Sequence, residues 1–514
     1  MSTNCKIHRI NICRLILLLA CFVLFPCLAN AGESPAAVQD ITIDGYAHST
    51  PFPHFWEQMF GSGRAILSLR ESYRRDMRDV KAITDFKYVR FHAILDDEVG
   101  VYSEDAEGKP VYNFSYVDQI YDGLIEQGVR PVVELDFMPR RLAVDRESRY
   151  KDFWDRPNVS PPKDETKWEN LVRAFVGHLV ERYGIEEVSQ WWFEIWNEPN
   201  TSSWQGLPRQ ASYFELYDYA AHALKSISPR LRVGGPATAY GVWISDLTAH
   251  TAQNNVPLDF VSGHVYGGDN PNKVFGPERS STPSQNDMVC AATRSMKNAI
   301  VHSANPDLPL LVTEFNAGFE DEHSYDSLYM GPFLAHTISQ CDGLTEVMSY
   351  WTFSDVFDEK GPVHEPFHGG YGLIAAGGIF KPAYVAFELL HRLGNVRIEN
   401  DAPDLIVTRR EDGAWIIAAW NLVDPGTQGP AKDMVLHLRN MHLSDAAQVC
   451  WLDENHSNAL MAYRKMGSPQ YPTATQIKTL REAARLNAPD TIKIQNGVLR
   501  LHVLENGLAL VILK

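Results

Sequence analysis

Between residues 55 and 390 the chain repeats one pattern: a short run of β-branched and aromatic residues, then a longer amphipathic stretch. The runs are "YVRFH" (88–92), "PVVELDF" (131–137), "WWFEIWN" (191–197), "RVGGPA" (232–237), "FVSGHVY" (260–266), "PLLVTEF" (309–315) and "VMSYWTF" (347–353). Each is nearly continuously apolar, as a strand covered on both faces must be. The clearest amphipathic stretch is 168–183. There Trp168, Leu171, Val172, Phe175, Val176, Leu179, Val180 and Tyr183 form one helical stripe, and Gly184 supplies a C-cap. With an eighth run near "EQMFGSG" (57–63), the pattern predicts eight β/α units. Eight parallel strands with crossover helices close into a (β/α)8 TIM barrel, an α/β fold. A doubly wound open sheet is the alternative, and no Gly-rich phosphate fingerprint supports it.

The character changes after about residue 392. "LIVTRREDGAWIIAAW" (405–420) reads as strand, Asp-Gly turn, strand, and "IKIQNGVLRLHVLENGLALVILK" (492–514) carries Asn-Gly twice. These are hairpin signals, and they predict an accessory β-sandwich built mainly from the C-terminal region. "ITIDGYA" (41–47) is a strand that joins it, and 473–485 is a helix that interrupts it. The expected organisation is a leader at 1–31, a strand segment at 32–54, the catalytic barrel at 55–391 and the sandwich at 392–514.

The leader reads as a secretory signal peptide: Lys6, Arg9 and Arg14, an apolar run from Leu15 to Leu28, then Ala29-Asn30-Ala31. The protein is therefore expected to be exported, to the periplasm or the medium. A weaker lipoprotein-like box ends at Cys21. Removing the leader takes away three basic residues and moves the net charge from −17 to −20. So acidic a chain is a poor partner for a nucleic-acid backbone. No later run reaches the roughly 20 apolar residues of a membrane helix. Of seven cysteines the mature chain keeps Cys290, Cys341 and Cys450. Three scattered cysteines make neither a disulfide framework nor a zinc site. One bridge is possible, but buried free thiols are the expectation.

Chemistry on a TIM barrel sits at the C-terminal ends of its strands. Two runs end there in a glutamate: Glu198, just past "FEIWN", and Glu314, at the end of "LLVTEF". Strands four and seven can face each other across the mouth, as a two-carboxylate glycosidase requires. Glu198, among Trp196, Pro199 and Trp204, has the apolar setting that keeps a general acid protonated. Glu314 has candidate donors in Tyr266, Asn316 and Arg90, as an ionised nucleophile needs. A lone glutamate at a strand end is more often a loop-facing charge than a catalyst. Glu134 and Glu194, inside strand runs, are accordingly expected to point outward or to satisfy local pairs. In Asn-Glu-Pro each residue has a use: Asn197 donates to a sugar hydroxyl, Glu198 delivers the proton and Pro199 stiffens the turn. Asn200-Thr201-Ser202 matches a glycosylation acceptor, but its place beside the proposed acid argues against modification.

The chain resembles glycoside hydrolase family 39, and most closely its β-xylosidase branch. The likeness rests on "HFWEQMFGSGRA" (54–65), "FKYVRFHAILDDEVGVY" (86–102), "FEIWNEPN" (193–200), "DFVSGHVY" (259–266), "VTEFNAGF" (312–319), "SYWTFSDVFDE" (349–359) and "PFHGGYGLI" (366–374). "HSNALMAYRKMGSPQYPTATQI" (456–477) extends it into the tail. Asn-Glu-Pro alone marks only the wider clan. The resemblance implies Glu198 as acid/base and Glu314 as nucleophile. It implies Asn197 on the hydroxyl next to the anomeric carbon and Arg90 beside the nucleophile. His92 and His264 would line the innermost sugar site, Tyr266 would bond Glu314, and Trp351 would form the floor. Read without the motif, the two histidines are satisfied core residues and Trp351 is a core ring.

The implied reaction is retaining, exo-acting release of β-D-xylose from xylo-oligosaccharides, with no metal or organic cofactor. The other readings are a different specificity on the same machinery (an arabinosidase or an endo-acting exopolysaccharide hydrolase), an α-L-iduronidase, or a secreted carbohydrate-binding protein without turnover. A uronate would need a cation in the pocket, with Arg64 or Arg90 as candidates. The loop after the nucleophile departs from the family pattern. It carries Glu320, Asp321, Glu322 and Asp326, which puts leaving-group preference in question. A monomer is favoured.

Overall fold

All eight runs form strands: β1 (Met59–Arg64), β2 (Tyr88–His92), β3 (Arg130–Glu134), β4 (Trp192–Glu194), β5 (Arg232–Thr238), β6 (Phe260–Tyr266), β7 (Leu310–Asn316) and β8 (Val347–Tyr350). Each pairs in parallel with the next, and β8 closes on β1. The computed structural model describes residues 37–277, 281–319 and 322–514. The leader at 1–31, the start of the 32–54 segment, and Glu320 and Asp321 lie outside the described residues.

The barrel interior is layered by strand alternation. Met59, Val132, Phe260, Leu311 and Val347 form an apolar plug near the N-terminal ends. Two residues further along β3, β4, β7 and β8 this parity brings in Glu134, Glu194, Thr313 and Ser349, all fully buried. Near the mouth the register slips. The β6–β7 pairing shifts at Gly263/His264 and sets His264 opposite Glu314; the β7–β8 pairing shifts between Val312 and Phe315. These irregularities turn Glu314, which follows inward-facing Thr313, toward the centre of the mouth.

The helix read over 168–183 spans Glu165–Tyr183. Asp164 caps its start by accepting from the Lys167 amide, and Gly184 ends it at φ 81°. Its apolar stripe, from Trp168 to Leu179, is buried.

Two further sheets pack as a sandwich. Ala37–Asp44, Lys432–Arg439 and Val498–Val503 form one, with Ala37–Asp44 running parallel to its neighbour. Seven strands form the other, among them Leu405–Arg409, Trp415–Trp420, Ala446–Leu452 and Leu508–Leu513. Ile43, Leu436 and Leu501 of the first sheet meet Val407, Ile417 and Val511 of the second in one core. The 405–420 hairpin forms around Asp412-Gly413 as read. The two Asn-Gly turns do not make hairpins within one sheet. Val498–Val503 pairs with Lys432–Arg439, whereas Leu508–Leu513 pairs with 415–420 and 446–452. Each turn carries the chain from one layer to the other, and only Gln495 and Val498 bridge. The helix expected over 473–485 spans Ala474–Ala483, capped reciprocally by Thr473 and Gln476.

The cysteine expectation is corrected. Cys290 and Cys341, on neighbouring helices, form a disulfide, and among the described residues Cys450 is the one free thiol, buried. Sequence spacing does not show the pairing, because the helices meet across the barrel's outer ring, 51 residues apart. Among the described residues no helix is long and apolar enough to cross a membrane.

Candidate active site

Arg90, on β2 and fully buried, organises the barrel mouth. Its Nε donates to Glu194 Oε2 at 2.6 Å, its Nη1 to Glu314 Oε1 at 2.6 Å and its Nη2 to Asn197 Oδ1 at 3.1 Å. Glu134 Oε2 lies 2.9 Å from the same Nη2. A buried cation is tolerable only when paired in this way. Glu134 and Glu194 therefore point inward, so the outward reading is corrected while the expectation that they satisfy pairs holds. The physical reason is strand parity, which a continuously apolar run conceals. Glu194 also accepts from Thr313 Oγ1 at 3.0 Å. Burial alone would raise the Glu134 carboxyl, but Arg90 and His92 bring it down to about 2. Burial would likewise lower the His92 imidazolium. Glu134, 2.9 Å from its Nδ1, more than offsets this and raises it.

Glu314 holds two donors, Arg90 and the Tyr266 hydroxyl, the latter at 2.5 Å from Oε2. Asn316, the third donor considered, is not used there: its side-chain amide donates to the Trp351 carbonyl. Glu198 sits differently. It lies past the end of β4 at φ 45°, with its amide donating to the Ala237 carbonyl. Among the described residues its close side-chain partner is His264, whose Nδ1 lies 2.9 Å from Glu198 Oε1 and 3.5 Å from Glu314 Oε1. Burial pushes the His264 imidazolium down to about 4 against the pull of Glu314, so the ring is neutral at pH 7. Burial raises the Glu198 carboxyl to about 7, against Arg90 and His92. Facing oxygens of Glu198 and Glu314 lie within 4.8 Å of each other.

The two carboxyls open into a cavity of about 400 Å³. His92, Asn197, Tyr266 and Trp351 line it; Arg90 and His264, fully buried, stand behind its wall. Asn197 spends its oxygen on Arg90, which leaves the amide nitrogen to donate into the cavity. The Trp351 ring lies against Gly61, where a Cβ would come within 2.0 Å of ring carbon. Only glycine on β1 leaves room for it.

The lining also includes residues that the sequence reading did not pick out: Tyr150, Asp269, Phe319, Glu359, Lys360 and Tyr371. Glu359 ends the quoted "SYWTFSDVFDE", so its motif was visible but its orientation was not. Burial raises its carboxyl to about 8, helped by Glu314, and raises that of Asp269 to about 7. In the acidic loop, Asp326 turns inward to Lys381 at 2.9 Å and does not face the cavity. Asn200 bonds both polar groups of Ala239 through its side chain, so its amide is not free for glycan attachment.

The sequence profile of Glycosyl hydrolases family 39 matches residues 39–496. A β-xylosidase of Geobacillus stearothermophilus is 36% identical over 463 residues, spanning 88% of this chain and 90% of its own. One from Caldicellulosiruptor saccharolyticus is 34% identical, spanning 87% and 92%. The crystal structure of a monomeric β-xylosidase from Caulobacter crescentus CB15 superposes with TM-score 0.82 at 32% identity, covering 93% of this chain and 99% of that one.

Proposed function

We propose that this chain, which belongs to glycosyl hydrolases family 39, releases β-D-xylose from the non-reducing ends of xylo-oligosaccharides with retention of configuration. The observation that carries the reading is the approach of Glu198 and Glu314 to within 4.8 Å in opposite surroundings. Retaining enzymes hold their carboxyl groups roughly 5–5.5 Å apart. Inverting ones need roughly 6.5–9.5 Å to admit a water. In the first step Glu314 bonds to the anomeric carbon as the glycosidic bond breaks, and Glu198 gives its proton to the departing oxygen. In the second, Glu198 takes a proton from water, the hydroxide oxygen bonds to the anomeric carbon, and Glu314 leaves. Arg90 and Tyr266 hold Glu314 in line for attack. Asn197 donates to the neighbouring hydroxyl, and the Trp351 face receives the sugar's C–H surface. His92 borders the same ring.

Xylose is favoured over a uronate by the charges at the cavity. Arg90 is saturated by its partners, and Arg64 donates to Glu98 at 2.8 Å. The rest of the wall offers one exposed lysine, Lys360, beside Asp152, and the raised carboxyls of Asp269 and Glu359 supply no cation. A cavity of about 400 Å³ at the barrel mouth has room for a small glycone, as exo action needs. The leader supports export, and the monomeric relative supports a monomer.

The deciding experiment is release of nitrophenol from an aryl β-D-xyloside by wild type and by Glu314→Ala, with and without azide. Turnover by wild type, loss in the variant and rescue as the α-xylosyl azide are expected. No wild-type turnover would refute the xyloside specificity, and turnover surviving the substitution would refute the assignment of Glu314.

A further inference from the structure

At the opposite end of the barrel from the cavity, three side chains that play no part in the reaction converge. Glu57, just before β1, is fully buried. The Nδ1 of His54 lies 2.7 Å from its Oε1, and the Nδ1 of His391 lies 2.9 Å from its Oε2. One donor atom from each of the three falls within 4.8 Å of the others. His391 caps the helix Pro382–Leu390, where the barrel leads into the sandwich. The group borders an open cleft of about 690 Å³, whose other charged walls are Asp85, Arg410, Glu411 and Asp412.

We propose that His54, Glu57 and His391 form a binding site for a zinc-class divalent transition metal that ties the barrel's base to the sandwich. Two imidazoles and a carboxylate are the donor set such ions prefer, and a hard ion such as Mg²⁺ prefers all-oxygen ligands. Tetrahedral zinc at about 2.0–2.2 Å from each ligand sets its donors roughly 3.3 Å apart. The two imidazole–carboxylate pairs, at 2.7 and 2.9 Å, need to open by about half an ångström to admit an ion, and the two imidazole nitrogens lie within 4.8 Å of each other. The cleft brings three further carboxylates against one arginine, so cations concentrate there, and its solvent supplies the fourth ligand as water. His54 is tied by Nδ1 to Glu57 and stacks on Trp56 at 4.5 Å, so its ring already turns Nδ1 toward the carboxylate.

The test uses the full protein stripped with a chelator and titrated with ZnCl₂ by calorimetry and thermal melting. One equivalent is expected to bind, the ion taking the Nδ1 positions that now face Glu57. A hundredfold excess over Kd is expected to raise Tm by about 3 °C for a chain of this size. MgCl₂ is expected to do neither. His391→Ala alters a side chain that is 44% exposed and should leave the fold intact. It is expected to weaken zinc binding more than about 100-fold, as is His54→Gln. Absence of the one-equivalent step, an equal response to Mg²⁺, or unchanged zinc binding in both variants would overturn the proposal.

Discussion

The raised carboxyl of Glu198 fixes where activity should fail as pH rises. Burial lifts it from 4.5 to about 7, a shift equivalent to about 3 kcal/mol of preference for the neutral acid. At a pKa of 4.5 less than about 1% of the acid would survive at pH 7, whereas at 7 about half does. About a tenth remains at pH 8, so kcat/KM should fall about fivefold from pH 7 to 8 and about tenfold per unit beyond. The sign for stability follows from the same shift. The folded state holds this proton more tightly than the unfolded one. That contribution is complete below about pH 4.5 and is lost as pH rises through about 7. Asp269 and Glu359 also border the cavity with raised carboxyls, at about 7 and about 8, so a basic limb alone does not identify Glu198. The discriminating assay is kcat/KM against pH for two aryl β-D-xylosides, one with a leaving group that departs unaided and one that needs protonation. Glu198→Ala should lose about 10²–10⁴-fold on the second, little on the first, and should have no basic limb near pH 7. A limb near pH 7 that persists in Glu198→Ala would refute the reasoning. So would a wild type that stays fully active to pH 9.

Two further substitutions test the supports of the site. Tyr266→Phe removes the 2.5 Å hydrogen bond to Glu314 while keeping the ring, and a bond to a charged group is worth about 1.5–3 kcal/mol. The expected loss in kcat/KM is about 10- to 150-fold, read on the same xyloside, with unchanged thermal stability pointing to the site and not the fold. Gly61→Ala places a methyl 2.0 Å from the Trp351 ring. The tightly packed barrel should lose about 1–3 kcal/mol, measured by urea unfolding, and KM should rise as the ring is pushed out of place.

Much of this was legible in the sequence because strand runs buried on both faces announce themselves by composition. All eight formed in register with their reading, and Glu198 and Glu314 came to the ends of β4 and β7. What composition conceals is which face a residue takes. In "PVVELDF" and "WWFEIWN" both faces are apolar, so the inward parity of Glu134 and Glu194 cannot be read from alternation. It became visible only against Val132 and the plug beneath it. The Asn-Gly turns misled for a related reason. A tight turn fixes a reversal of the chain, but not whether the strands it joins pair with each other or with older strands in facing sheets. Cys290 and Cys341 met through packing of two outer helices, which leaves no mark at the level of spacing.

The same geometry explains why two glutamates at strand ends facing across the mouth take different parts. Glu314 stays within its strand, where the slip against β6 leaves it inside the reach of Arg90 and Tyr266. Glu198 lies beyond its strand. Trp196 at φ 69° and Glu198 at φ 45° turn the backbone, and the Ala237 carbonyl pins the turn. Left-handed backbone costs energy for residues with a Cβ, and such strain collects where a side chain must be aimed. Here it carries Glu198 away from the guanidinium and toward a histidine that burial keeps neutral. Arg90 then compensates one carboxylate facing the cavity, Glu314, and two beneath it, Glu134 and Glu194. The fourth carboxyl has only an uncharged partner and a buried setting, the conditions under which a glutamate keeps its proton near neutral pH.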